Sequence, residues 1–335
     1  MKRSILLLFS LFACLISASA QMMPDSTVQV IAYWEVGDKY HFQVEDTKYK
    51  ISGTDTTDVQ RSAHLLTLEV VNQTDSTYRV RMSTDDYQHS DYSRAAMTDD
   101  VLAQFGNAPV DFETDEYGTF KRVLIDDSDW EGLFAVVDAI VEKVADSQNL
   151  DADGRAALGK MMRALFTKDL IIGQITQEIT PLLDYHGLHL TPGEEAEYEQ
   201  EIPSVFGDDN VIRMNGRFWA DKDLTDDYSV VIYDVSESNR DDMLGYVSSF
   251  VGNLLKSAGM DSADETRETM ASTMADSEIS LRLVVFEEIH LDTGWPLDYE
   301  LTKTVRVKSG EDEAQQVQIR TVTMIFEDEE EESDN

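Results

Sequence analysis

Two stretches of the chain hold residues whose types and spacing match known chemistry. HLDTGWPL, residues 290–297, contains Asp292-Thr293-Gly294. An aspartate in such a triplet can be one half of a two-carboxylate site, where paired carboxyl groups share a proton. The chain has no second copy, so one triplet could serve only if two chains met and each contributed one. Bulky Trp295 and then Pro296 follow the glycine, and both flanks alternate. Leu283, Val285 and Ile289 precede the triplet, and Leu297, Tyr299 and Leu301 follow it. Asp and Gly supply turn geometry, and a proline can open a returning strand. The triplet therefore predicts a hairpin connection. The second stretch is Asn149-Leu150-Asp151-Ala152-Asp153-Gly154. Oxygen ligands at alternate positions before a glycine match the start of a helix–loop–helix Ca²⁺ loop. Asn149, Asp151 and Asp153 are the candidate ligands, and Ca²⁺ is the one candidate cofactor. Position 12 of such a loop is a bidentate Glu; here it is Lys160. The same residues also spell an interhelix turn in which Asp151 or Asp153 caps the next helix. The missing ligand favours the turn.

Other constellations are thinner. Of six histidines, only His186 and His189 lie close together, and zinc needs three or four ligands. Both read as structural or exposed. The chain has no Gly-x-Ser-x-Gly elbow, no Ser-x-x-Lys, no phosphate loop and no dinucleotide fingerprint. Adjacent acids such as Asp85-Asp86 and Asp241-Asp242 have little diagnostic value in a chain with 66 Asp and Glu. Hydrolysis by paired carboxylates needs a defined separation across a cleft, which sequence does not display. Trp34, Trp219 and Trp295 lie in or beside strand patterns and Trp130 begins a helical one; packing is the common role, ligand stacking the other.

The first twenty residues read as a secretory signal. Lys2 and Arg3 precede an apolar run, residues 5–16, and Ser17-Ala18-Ser19-Ala20 suits cleavage before Gln21. Leu11-Phe12-Ala13-Cys14 is a rival lipobox that would anchor the chain through Cys14; bulky Phe12 fits it poorly. Cleavage after Ala20 removes the only cysteine, so the mature chain has neither disulfide nor thiol chemistry. It would be exported to a periplasmic or extracellular space with no transmembrane segment in the mature form. Loss of Lys2 and Arg3 takes the net charge from −39 to −41. Such a surface repels nucleic acid and anionic membranes. It suits a salty medium that screens self-repulsion, or recruits Ca²⁺ or a cationic partner. The acids are spread over nearly every loop, which favours the first.

Hydropathy supplies the elements. Period-two alternation predicts strands at 40–44, 64–71, 77–82, 109–114, 119–125, 211–220, 228–235, 279–291, 297–308 and 316–326. GTDTTD and NQTDST supply turns between the first ones. Leu133, Val136, Val137, Ile140, Val141 and Val144 form one helical stripe, and Leu158, Met161, Met162, Leu165 and Phe166 form another. Further helices are predicted at 169–179, at 247–255 and over 264–276. Residues 327–335 read as a disordered acidic tail. Strand meanders with inserted helices imply an α+β fold: one domain over 21–326, with a large curved antiparallel sheet of about ten or eleven strands. Its apolar face must be covered, and amphipathic helices against the concave face would make it half-barrel-like.

YWEVGDKYHFQVEDTKYKI (33–51) resembles the opening of secreted Bacteroidetes-type proteins of unknown function, and HLDTGWPLDYELTKTVRV (290–307) resembles their Thr-Gly-x-Pro hairpins. The element order resembles the half-barrel of the periplasmic lipoprotein carriers, which implies binding of acyl chains between a curved sheet and covering helices. The expected function is that of an exported non-enzymatic protein binding a lipid or other apolar small molecule. An envelope structural protein whose acidic surface meets a partner protein is the second reading, and a carboxylate-dependent hydrolase the third.

Overall fold

The computed structural model describes residues 27–89, 109–165, 167–203, 211–257, 269 and 277–326. The residues expected to form a signal, the tail expected to be disordered and all of the expected 264–276 helix except Thr269 lie outside these residues.

Alternating side chains build two antiparallel meanders. The first comprises β2 (Lys39–Ser52), β3 (Asp55–Gln73), β4 (Thr77–His89), β5 (Val110–Asp115) and β6 (Phe120–Leu124). The second comprises β8 (Glu195–Pro203), β9 (Val211–Ala220), β10 (Ser229–Ser238), β11 (Glu278–His290), β12 (Pro296–Ser309) and β13 (Asp312–Ile325). β13 pairs with β2, which fuses them into one 11-stranded sheet, β6-β5-β4-β3-β2-β13-β12-β11-β10-β9-β8. The sheet is curved and open, half-barrel-like in an α+β fold, as expected. Each expected strand is present. β8 was not foreseen, because the acids of EAEYEQEIP obscure its alternation.

Four helices are described: α1 (Asp127–Ser147), α2 (Ala152–Leu165), α3 (Lys168–Ile179) and α4 (Arg240–Ser257). α1 starts with a capping box. The Asp126 carboxylate accepts the Asp129 amide, and the Asp129 carboxylate accepts that of Asp126. A 3-10 turn, Thr180–Leu182, follows α3 and leads into a small second sheet, where β1 (Val28–Gln29) pairs with β7 (His189–Leu190).

Three apolar clusters clothe one face of the large sheet. Phe42, Leu68, Val80 and Phe112 join Trp34, Trp295 and Leu182 in the first. Val28, Val30, Tyr185, Ile232 and Ile289 form the second, under the N-terminal segment. In the third, Met243 of α4 sits on Ile212, Met214, Ile279 and Leu281. The helices touch this face unevenly. α3 packs against β6, and α4 against β9 and β11, while α1 packs on α2 and α2 on α4. Over the middle strands, α3 reaches in through Glu178, which pairs with Arg320 of β13, and through Ile175 and Ile179, which pack on the first cluster. Val137, Ile140, Val141 and Ala145 of α1 are buried but belong to none of the three clusters. The α1–α2 pair therefore spans from the β6 edge, where α1 begins, to α4 over β9 and β11.

Candidate functional site on the helix-bearing face

Strand register fixes which side chains meet under that span, because residues two apart on a strand share a face. At the end nearest the N-terminal segment, one row runs Ile232, Glu287, Tyr299, Val322, Val44 across β10, β11, β12, β13 and β2. The next row runs Asp234, Val285, Leu301, Arg320, Asp46. The row after that runs Ser236, Leu283, Lys303, Gln318, Lys48 and, on β3, Gln60. A belt of charge thus crosses a face that is apolar at both ends.

The belt has an acidic pole. Glu287 is fully buried, and neither carboxylate oxygen has a hydrogen-bond partner among the described residues. Burial, then the nearby Asp184 charge, pushes its carboxyl well above the usual carboxylate range. Asp184 follows the 3-10 turn, and burial together with Asp234 raises it to about 7. Asp184 is crowded by protein, yet its own surface is open to water. Crowding sets the field it feels, while accessibility decides whether solvent reaches it. Asp234 is raised by burial and partly relieved by hydroxyls of Tyr198 and Tyr185. The Tyr198 hydroxyl lies 2.8 and 2.9 Å from its two oxygens. Tyr198 stands on β8, two strands from Asp234, and reaches it across Gly216 of β9. A Cβ on Gly216 would lie 2.3 Å from the Tyr198 ring, so only glycine leaves the ring this path.

The centre of the belt is an ion-pair network. Burial works against the Arg320 charge, but Glu178 of α3 at 2.7 Å and Asp46 at 3.1 Å outweigh it, and the guanidinium stays firmly protonated. The far pole is basic. Burial, and then Lys48, lowers Lys303 from the ordinary lysine range. Like Asp184, Lys303 is crowded by protein yet open to water. Leu283, Val285, Leu301, Val305 and Val307 around it are only partly covered.

The sequence-derived candidates lie elsewhere. Asp292-Thr293-Gly294 connects β11 and β12, with Gly294 at φ +73°. The indole N–H of Trp34 donates to the Thr293 carbonyl at 2.7 Å, and Trp34 stacks on buried Trp295 with centroids 4.2 Å apart. The turn is thus an anchor for the first apolar cluster. Asn149 takes a left-handed φ of 51° at the end of α1, and Asp151 Oδ1 accepts the Gly154 amide at 2.8 Å, the bond of a helix cap. Asp153 lies in the first turn of α2. No group of three or more His, Cys, Asp and Glu among the described residues has the arrangement to hold a metal ion. His186 is buried under Trp34, and burial holds its imidazole down to about 4, while His189 is exposed on β7. Trp219 stacks on Tyr233 on the opposite face of the sheet, and Trp130 lies under the Lys168 ammonium.

Comparisons with known proteins add little to this geometry. No family model matches the chain, and no curated protein matches it in sequence. Among solved structures, it is similar to a lipovitellin structure concerned with lipid–protein interactions, at 7% identity and a TM-score of 0.41, over 87% of this chain and 25% of that one. The chain thus spans about a quarter of that protein's length. It is also similar to an outer membrane channel of Pseudomonas putida F1, at 9% identity and a TM-score of 0.19, covering 88% and 98% of the two chains. A third likeness is to OmpT, an outer membrane protein of Vibrio cholerae, at 8% identity and a TM-score of 0.17, covering 86% and 100%. Scores at this level carry no argument about what this chain does.

Proposed function

We propose that this is an exported, non-enzymatic binding protein that holds an apolar or amphipathic small molecule between the curved sheet and its helices. One observation carries the reading: the middle of the helix-bearing face is apolar and, among the described residues, only partly covered. Leu283, Val285, Leu301, Val305 and Val307 stay partly open although helices pack on either side of them. A side chain leaves water for about 25 cal/mol per Å² of apolar surface, so a folded chain closes such a gap when it can. An apolar guest would gain that same free energy. The basic residues at its leader support export, and the polar belt would fix the guest's orientation, as a few placed polar groups do in small-molecule sites.

The test uses the neutral fluorophore N-phenyl-1-naphthylamine and the full mature chain. Saturable fluorescence enhancement, displaced by hexadecanol, is expected. Leu301→Trp should fill the space and weaken binding by about tenfold without lowering the melting temperature. Absence of any saturable enhancement would dispose of the reading.

A further inference from the structure

Lys303 and Lys48 are the least expected residues of the belt. Both stand in strands whose neighbours on the same face are apolar or paired: Leu301 and Val305 flank Lys303, while Asp46 and Lys50 flank Lys48. Asp46 is already bonded to Arg320, and Lys50 to Asp58 at 2.8 Å. Neither Lys48 nor Lys303 has an ion pair or hydrogen bond among the described residues, in a chain with 66 acids and 27 Lys and Arg. A salt-bridge partner would have been the easiest thing for such a chain to provide. The two ammonium groups instead repel each other across Gln318. Their Cα atoms lie two strands apart, about 10 Å, so both side chains can converge on one small group above Gln318. Gln318 and Gln60 continue the row with amide donors. Beside it, Lys48, Tyr49, Lys50, Asp58, Val59, Gln60 and Gln316 line a recess of about 270 Å³, with the Asp58 carboxylate held by Lys50. On the other flank lie the partly open Leu283, Leu301 and Val305.

We infer that Lys48 and Lys303, with Gln318 between them, bind the anionic headgroup of an amphiphile whose chain lies over Leu283, Leu301 and Val305. The inference rests on the binding reading above and adds the ligand's charge and its direction in the hollow. A carboxylate or phosphate there would accept charge-assisted hydrogen bonds from both ammonium groups and end their mutual repulsion. The acidic exterior does not oppose this, because charges separated by more than about 8–10 Å are screened at physiological salt, and the row lies inside the sheet's outline. The opposite pole offers the headgroup the acids Glu287 and Asp184 rather than cations, so the basic end sets the favoured orientation.

Equilibrium binding of hexadecanoate, hexadecanol and inorganic phosphate to the full mature chain would decide it. Hexadecanoate should bind at least about tenfold tighter than hexadecanol, as a charge-assisted pair warrants. Lys48→Gln/Lys303→Gln should erase that preference while leaving hexadecanol affinity within about twofold, and Lys48→Arg/Lys303→Arg should retain it. Thermal melts of both variants report folding directly, and loss of the repulsion should leave the Gln variant at least as stable as wild type. Equal affinity for the acid and the alcohol would overturn the headgroup site and leave the apolar binding face standing. Failure of both to bind would overturn the binding face and the headgroup site together. Phosphate binding as tightly as hexadecanoate would overturn the amphiphile and make the row a site for free anions.

Discussion

Glu287 occupies a position where the pattern of its strand calls for a hydrophobe. Leu281, Leu283, Val285 and Ile289 share its face of β11, and its two oxygens meet no donor among the described residues. Burial holds its carboxyl, and that of Asp184, above the ordinary range. The folded state then binds more protons than the unfolded chain between the two pKa values, so stability falls as pH rises through that window. For Asp184 the window runs from 3.8 to about 7. The stability these acids contribute is present at the acidic end and lost at neutrality. Surface self-repulsion slopes in the same direction, so the variants matter more than the wild-type curve. Glu287→Gln and Asp184→Asn should each flatten the decline in melting temperature between pH 4 and pH 8, Glu287→Gln most at the neutral end. Curves parallel to wild type would show that neither carboxyl is perturbed. His186 works oppositely, since an imidazole held down to about 4 costs stability as pH falls below 6.5.

At the scale of elements, the strands were legible and the chemistry was hidden within them. Alternation in 279–291, 297–308 and 316–326 located β11, β12 and β13, because one face of each is covered. The same alternation flags Glu287, Lys303 and Arg320 as charges on the apolar parity, a signal visible in the sequence once the face is known. What alternation does not reveal is which strands become neighbours. Asp184 comes from a turn after α3, and Tyr198 from a strand masked by Glu195, Glu197, Glu199 and Glu201. Only the β8–β9–β10 order brings Tyr198 across Gly216 to Asp234. The Asp-Thr-Gly triplet was readable as a turn because its own flanks contain the evidence. Gly216→Ala should push the Tyr198 ring aside and break its bonds to Asp234. The loss should be about 1–3 kcal/mol in chemical denaturation, the scale of a hydrogen bond to a charged group. Tyr198→Phe should cost a similar amount, and the two changes together should cost less than their sum, since they remove one interaction. Full additivity would mean that Gly216 matters for some other reason.

Across the whole molecule, charge and openness must be managed together. Eleven strands that do not close leave two edges, β6 and β8. β8 carries Glu195, Glu197, Glu199 and Glu201 along its outward face, and like charges on an edge discourage pairing with another copy. A net charge of −39 also strains the folded state, so screening should help it. Raising NaCl from 20 mM to 500 mM should raise the melting temperature by several degrees. Neutralising the four β8 glutamates to glutamine should instead promote association, read by light scattering, while lessening the salt dependence.

The packing of α1 on α2 has a consequence for how the molecule opens. Because α1 packs on α2, with Val137, Ile140, Val141 and Ala145 buried along α1, the pair can lift as one cooperative unit. Sub-global opening of such a unit takes less free energy than global unfolding. Native-state hydrogen exchange should therefore separate the molecule in two, with α1 and α2 amides exchanging together well ahead of those in β2, β11, β12 and β13. A saturating guest should slow the helical amides and leave the strand amides unchanged.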